Sequence, residues 1–422
     1  MAGARETQIH GHVSKGFEPV MDAFRDNFVS RGELGGACCI YLHGEKVVDV
    51  WGGVRNKGTG GPWLEDTMVL VHSATKGFAA MTLALAHSRG WLDYDERVAT
   101  YWPEFAANGK ADITVRQLLA HQAGLFAFEA TVDKVVVADL DRLAHVLANE
   151  KPAYPAGVRQ AYHALSLGFY QGELLRRIDP RHRSLGQFFQ DEIATPLGAD
   201  FYILLPETIP NSRLAHLTQA GMLKMIFSMP FPMTLAIFNR KSEIYRALLT
   251  NPGAGIVIDE RTVYARNLEV PSGGGVGNAR GMARVYSAFA SGGAELGLRR
   301  VTLEALKAPA LPSANGFYDD GIRAEAQFSL GFMKSSREWP VGSPSAFGAP
   351  GAGGSLAFAD PETGIAFAYV TNRMSAKMLS SARDQALQRA LASVLADHRP
   401  RDEHIGSVDA QRAGQRAIAR AD

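Results

Sequence analysis

Both ends of this chain carry the same arrangement in mirror order, and that limits the fold more than any other feature. Residues 16–30 place Phe17, Val20, Met21, Phe24 and Phe28 at helical spacing, the stripe of an amphipathic helix. Two apolar or alternating runs follow, 37–42 and 46–54, joined by His43-Gly44-Glu45, a hairpin signal. Near the other end, 355–359 and 365–372 flank the turn Asp360-Pro361-Glu362-Thr363-Gly364. A third candidate strand lies at 328–335, and a helix is expected over 378–395. The pattern predicts an α+β chain: one antiparallel sheet built from both chain ends and flanked by the terminal helices.

The stretch between reads as mostly helical with long loops, with segments at 115–120, 139–148, 165–177, 185–193 and 280–291. The expected organisation is a discontinuous α/β sheet domain, 1–76 and 321–397, an inserted helical domain, 77–320, and a polar tail, 398–422. A length of 422 residues is enough for a substantial core. A net charge of +1 supplies no field for nucleic acid or an anionic membrane, so neither is an expected partner. Cys38 and Cys39 are the only cysteines, and adjacent strand residues point to opposite faces, which argues against a mutual disulfide. Two lone thiols, and an N-terminus without an apolar signal core, lead to an expectation of a cytoplasmic protein. The apolar run 222–238 is interrupted by Lys224, Pro230 and Pro232, too broken for a membrane span. Its methionines and phenylalanines suit either core or an adaptable lid.

Chemistry concentrates at Ser73-Ala74-Thr75-Lys76. Residues 67–72 look strand-like, and 77–87 form an apolar helical run that stops at Gly90, a plausible left-handed terminator. Lys76 therefore shares a helix face with Ser73, whose hydroxyl sits near free backbone N–H groups and a positive dipole end. A weak hydroxyl nucleophile needs that setting: a base beside it and donors for an oxyanion. Alone, the spacing also fits an exposed cap serine beside a surface lysine.

Three further segments appear in order. Residues 113–125, ITVRQLLAHQAGL, form a helix ending at a glycine turn; Pro155-Ala156-Gly157 leads through Tyr162 into a helix; and 347–355, FGAPGAGGS, is a glycine-rich lead-in to a strand. With Ser73-x-x-Lys76, this order and spacing resembles the serine β-lactamase and penicillin-binding-protein superfamily over about residues 10–395. The closest likeness is to its β-lactamase-like esterases, the family VIII carboxylesterases.

The resemblance implies that Ser73 is the nucleophile, Lys76 its activating amine and Tyr162 the tyrosine of the second motif, at the domain interface. It also implies an oxyanion hole from the Ser73 N–H with backbone near Ala352 and Gly351, and neither cofactor nor metal. Lysine and tyrosine are poor bases alone at neutral pH, but a buried pair can titrate as a unit, so Tyr162 would take the Ser73 proton and return it to the leaving alkoxide. Two positions depart from the family pattern. Ala164 stands where the tyrosine motif has Asn, and Ala349 where the last motif has a cation or imidazole. Neither Gly-x-Ser-x-Gly nor Ser-Asp-Asn occurs, against an α/β-hydrolase elbow and a class A β-lactamase.

Tyr154 and Tyr170 rival Tyr162, but only Tyr162 follows the Pro–Gly turn at the family spacing. His121 reads as structural, bonding backbone near Gly124; His72 should point away from Ser73; His163 has no evident partner. Ser272-Gly273-Gly274-Gly275-Val276-Gly277 lacks a following Gly-Lys-Ser/Thr and reads as a flexible loop near the site rather than a phosphate loop. The expected function is hydrolysis of small carboxylic esters through an acyl-enzyme. The alternatives are an amide, β-lactam or D-amino-acid peptide hydrolase, an acyltransferase, or a non-catalytic relative that keeps the fold.

Overall fold

The computed structural model describes residues 7–219, 235–236, 238–375, 377 and 380–398. The expected lid-or-core segment therefore falls largely outside the described residues, as does the polar tail from 399. From the N-terminus the sheet and its covering begin with β1 (Ile9–Val13), α1 (Glu18–Ser30), β2 (Gly35–Leu42) and β3 (Glu45–Asn56). The helices that matter for the site are α2 (Thr75–Ser88), α3 (Val115–Leu119), α4 (Ser166–Ile178) and α5 (Ala279–Ala290). The C-terminal part adds β4 (Phe328–Ser329), β5 (Phe332–Lys334), β6 (Phe347–Pro350), β7 (Leu356–Asp360), β8 (Ile365–Thr371) and α6 (Ala382–His398).

These strands form one antiparallel sheet in the order β1-β3-β2-β8-β7-β6-β5-β4. The two chain ends meet where β2 pairs with β8, from Gly36 opposite Thr371 to Leu42 opposite Ile365. The fold is thus the expected α+β arrangement, one antiparallel sheet built from both chain ends. Two details differ. β1 was not expected, since Ile-His-Gly-His-Val is short and only Ile9 and Val13 are partly buried, both on one face. The single strand expected at 328–335 is a tight hairpin, with Leu330 and Gly331 both at positive φ between β4 and β5.

The faces of the sheet are built differently. On one, Phe358, Phe367 and Tyr369 pack with Phe17, Val20 and Phe24 of the N-terminal helix region and Leu387 and Leu391 of α6. Each fully buried side chain of this size contributes roughly 1.5–3 kcal/mol through loss of apolar surface from water. On the other face Ala357, Ala359, Ala366 and Ala368 keep the surface flat, and α5 lies against β2, β7 and β8. That helix, 279–290, belongs to the stretch read as a helical domain and covers the sheet. Cys38 and Cys39 are buried, unpaired and on opposite faces, one in each core cluster.

Candidate active site

The chain reaches Ser73 from a two-residue strand, Val69–Leu70, paired with Val276–Gly277. His72 then takes a positive φ of 48°, a conformation that a non-glycine residue adopts only when its surroundings hold it there. Ser73 sits in a short 3₁₀ turn, His72–Ala74, that runs directly into α2. The turn is pinned from two sides: the Thr75 hydroxyl donates to the His72 carbonyl at 2.5 Å and accepts from the Gly275 N–H at 2.9 Å. α2 is buried along nearly its whole length and ends at Gly90, which adopts the expected left-handed conformation.

Lys76 is almost wholly buried. Its Nζ lies 3.3 Å from the Ser73 Oγ and donates to the backbone carbonyls of Ala164, at 2.6 Å, and Ser272, at 2.8 Å. Burial drives its pKa well below the ordinary lysine value. A neutral amine has two hydrogens and one lone pair. The two carbonyls match the hydrogens, and the remaining direction faces Ser73.

Tyr162 arrives from the turn after Pro155. Its N–H donates to Asp319 Oδ1 at 3.0 Å, its ring stacks on Phe328 with centroids 5.6 Å apart, and Lys76 Nζ lies 4.8 Å from the ring centroid. Burial raises the phenol pKa; a side-chain hydrogen bond with Ser73 opposes that rise without cancelling it. Tyr154 packs in a small cluster with Phe126, and Tyr170 is wholly buried against Trp102 and Phe105. Neither rival borders the cleft.

The third part is the loop after β6. The Gly351 N–H donates to the Ser355 carbonyl at 2.7 Å, so this amide is committed to the turn and is not an oxyanion donor. Gly351 matters instead for its missing side chain. A Cβ there would lie 2.1 Å from the Val71 carbonyl oxygen and 3.2 Å from the Ala74 nitrogen. Only glycine lets the loop close on the nucleophile turn. Ala352, the other expected donor, borders the cleft together with Ser73.

Burial lowers the pKa of each histidine around the site. His121, at φ 61°, accepts the main-chain N–H of His163 on Nδ1 at 2.9 Å, whereas the expected bond to backbone near Gly124 is made by His163. His163 gains partners the sequence hid: Nε2 accepts the Leu125 N–H at 3.0 Å and Nδ1 bonds the Ala161 carbonyl at 2.7 Å. Burial and the neighbouring Lys76 lower His72 to about 4, and burial lowers His163 to about 4 as well. The run 272–277 lies near the site as expected, yet it is not a flexible loop. It is largely buried, with Ser272 holding both Lys76 and the Gly168 N–H and Gly275 holding Thr75.

Ser73, Lys76, His121, Tyr162, Ile322, Phe328, Gly331, Met333, Ala349, Pro350 and Ala352 line one cleft, with an empty volume of about 670 Å³ including its open mouth. Its walls come from both the 73–162 part of the chain and the sheet edge. Sequence reasoning missed the Ala164 carbonyl, Ser272 and Asp319. The glycine run flagged the second, whereas an aspartate in a turn-like Asp-Asp-Gly, 157 residues from Tyr162, gave no signal. No group of three or more His, Cys, Asp or Glu side chains that could hold a metal occurs among the described residues.

A serine at the head of a helix, a buried amine and a tyrosine over one cleft, on this sheet-and-helix frame, mark a serine hydrolase of the β-lactamase fold. The family model described as Beta-lactamase matches residues 17–391, and the chain belongs to that family. It is 33% identical over 373 residues to the Esterase/beta-lactamase LipL of Mycobacterium tuberculosis, covering 87% of this chain and 83% of the relative. Among solved structures it is similar to a family VIII carboxylesterase, with TM-score 0.81, 34% identity and coverage of 92% of this chain and 100% of the other. A penicillin-binding protein homolog from Caulobacter crescentus gives TM-score 0.80 and 32% identity over the same shares. No described helix is long and apolar enough to cross a membrane.

Proposed function

We propose that this chain is a carboxylesterase that forms an acyl-enzyme on Ser73. The observation that carries the reading is the bonding of Lys76: two backbone carbonyls on its hydrogens and the Ser73 hydroxyl on its remaining side. In the first step Lys76 Nζ accepts the Ser73 proton as Oγ bonds the ester carbonyl carbon. The N–H groups of Ser73 and Ala352 are assigned to the resulting oxyanion. Collapse breaks the carbon–alkoxide bond, and the departing oxygen takes a proton from the Tyr162 hydroxyl; the proton held on Lys76 restores the phenol. Water then repeats the sequence in place of the alcohol. Because burial favours the phenol, Tyr162 is assigned the donor role, rather than first acceptor of the serine proton.

The cleft wall supports neutral esters over β-lactams. Beyond Ser73, Lys76, Tyr162 and His121 its lining is glycine and apolar groups, with Ala349 in the place of a cation or imidazole. A substrate carboxylate would be desolvated without a charged partner, forgoing about 1.5–3 kcal/mol of charge-assisted bonding. The relative named Esterase/beta-lactamase favours a slow lactamase activity as the second reading. The buried, unpaired cysteines fit a reducing cytoplasm. The test is kcat/KM for p-nitrophenyl butyrate beside nitrocefin and ampicillin on one preparation. The ester should exceed both lactams, and a lactam that matches it overturns the assignment of substrate class.

A further inference from the structure

We propose that Asp319 is a positioning residue for this reaction, its carboxylate setting the backbone of Tyr162 and the cleft-wall residue Ile322 in one register. The proposal rests on Tyr162 being the proton donor. Asp319 ends a two-residue strand, Tyr318–Asp319, and its side chain is fully buried. Its Oδ1 accepts three backbone N–H groups: Gly321 at 2.9 Å, Ile322 at 2.9 Å and Tyr162 at 3.0 Å. Its Oδ2 accepts the Gln160 side-chain amide at 3.3 Å.

The bonds to Gly321 and Ile322 are those of an ordinary aspartate turn, and a turn requires no more. The bond to Tyr162 crosses 157 residues and is of another kind. It joins the turn to the segment carrying the tyrosine, and both ends of that join, Tyr162 and Ile322, line the cleft. The fit is close: a Cβ at Gly321 would come within 3.1 Å of both Asp319 Oδ1 and the Tyr162 nitrogen. Two main-chain bonds brace the same junction, Asp320 N–H to the Gln160 carbonyl at 2.9 Å and Arg323 N–H to the Asp319 carbonyl at 2.8 Å. Phe328 and His121 limit how the Tyr162 ring turns. Asp319 places the backbone from which that ring projects. Burial holds the carboxyl up at about 6 despite its donors, so the fold retains a group that a purely apolar filling would avoid.

A double-mutant cycle on the full chain, read as kcat and KM for p-nitrophenyl butyrate with melting followed by circular dichroism, tests this. Asp319→Ala should lower kcat roughly 10- to 100-fold, the scale of a small misplacement of a reacting group. Asp319→Asn keeps an acceptor oxygen for the same amides and should recover activity to within about 5-fold of wild type. In the Tyr162→Phe background, Asp319→Ala should cost less than about 3-fold more, because residues acting through one group are not additive. If the two losses instead multiply, or if Asn is as impaired as Ala, the positioning role is overturned. Should Asp319→Ala give no folded protein, Asp319→Ser replaces it in the cycle under the same criteria. A Tyr162→Phe enzyme with unchanged kcat would overturn the underlying assignment of Tyr162, which the cycle thereby separates from a failure at Asp319.

Discussion

Ser73 and Lys76 stand on a single helical turn, whereas the groups that surround Tyr162 converge from residues 121, 319 and 328. In the half assigned to the nucleophile, local helix geometry sets the spacing, and the carbonyls of Ala164 and Ser272, 88 and 196 residues from Lys76, hold the amine. The half assigned to proton transfer is assembled by long-range contacts alone, several of them through backbone atoms. The Ser73–Lys76 spacing itself does not depend on distant parts of the chain. A long-range half depends on each segment arriving in register, and small displacements there should be felt in rate before they are felt in stability.

The largest effects should come from the local half. Ser73→Ala should remove ester hydrolysis while melting stays cooperative, and Lys76→Ala should come close, with losses of about 10⁴- to 10⁶-fold in kcat, as for other nucleophile and activator deletions. Wild-type turnover in Ser73→Ala would end the comparison, since the local half would then not hold the nucleophile. Next comes the long-range half. Tyr162→Phe should reduce kcat about 10²- to 10⁴-fold, with Tyr154→Phe and Tyr170→Phe near wild type. A collapse in either rival instead would move the proton donor to another part of the structure.

Gly351→Ala sharpens the comparison, because it strikes where the two halves meet. The added methyl would overlap the Val71 carbonyl at 2.1 Å, so the loop or the nucleophile turn must shift. A displacement near 1 Å costs roughly 10²-fold in rate, and a kcat within about 2-fold of wild type would show that the contact is dispensable.

The smallest expected effect concerns pH and stability. Burial lowers the Lys76 pKa, so between its lowered folded pKa and its ordinary unfolded value the unfolded chain binds the extra proton. Stability from this group therefore rises with pH across that window and is lowest on its acid side. Lys76→Met removes the titration. Its melting temperature relative to wild type should accordingly be higher at pH 6 than at pH 9, and a difference that grows with pH would contradict the burial argument.

The same contrast explains what could be read from the chain before its structure. Ser73 and Lys76 needed only helical spacing, and Gly90 a helix-terminating signal, so both were legible. The sheet followed from alternating apolar runs at the two ends, except β1, a five-residue edge strand whose only apolar signal is Ile9 and Val13 on one face. Tyr162 was legible only through its place after a Pro–Gly turn in an ordered set of motifs. Asp319 and the Ala164 carbonyl were not legible at all. The carbonyl group is common to every residue and only the fold selects one, and an aspartate followed by Asp-Gly looks like any surface turn. Gly351 lies against the Ser73 turn with its amide bonded to Ser355, and sequence cannot tell a committed amide from a free one.

The central claim is that Ser73 is the residue acylated in this cleft. Intact-protein and peptide mass spectrometry after treatment with a fluorophosphonate probe tests it most directly. The account predicts one adduct per chain, carried by Ser73, and no adduct on the Ser73→Ala protein. An adduct on another residue of the native chain, or undiminished labelling of Ser73→Ala, would contradict it.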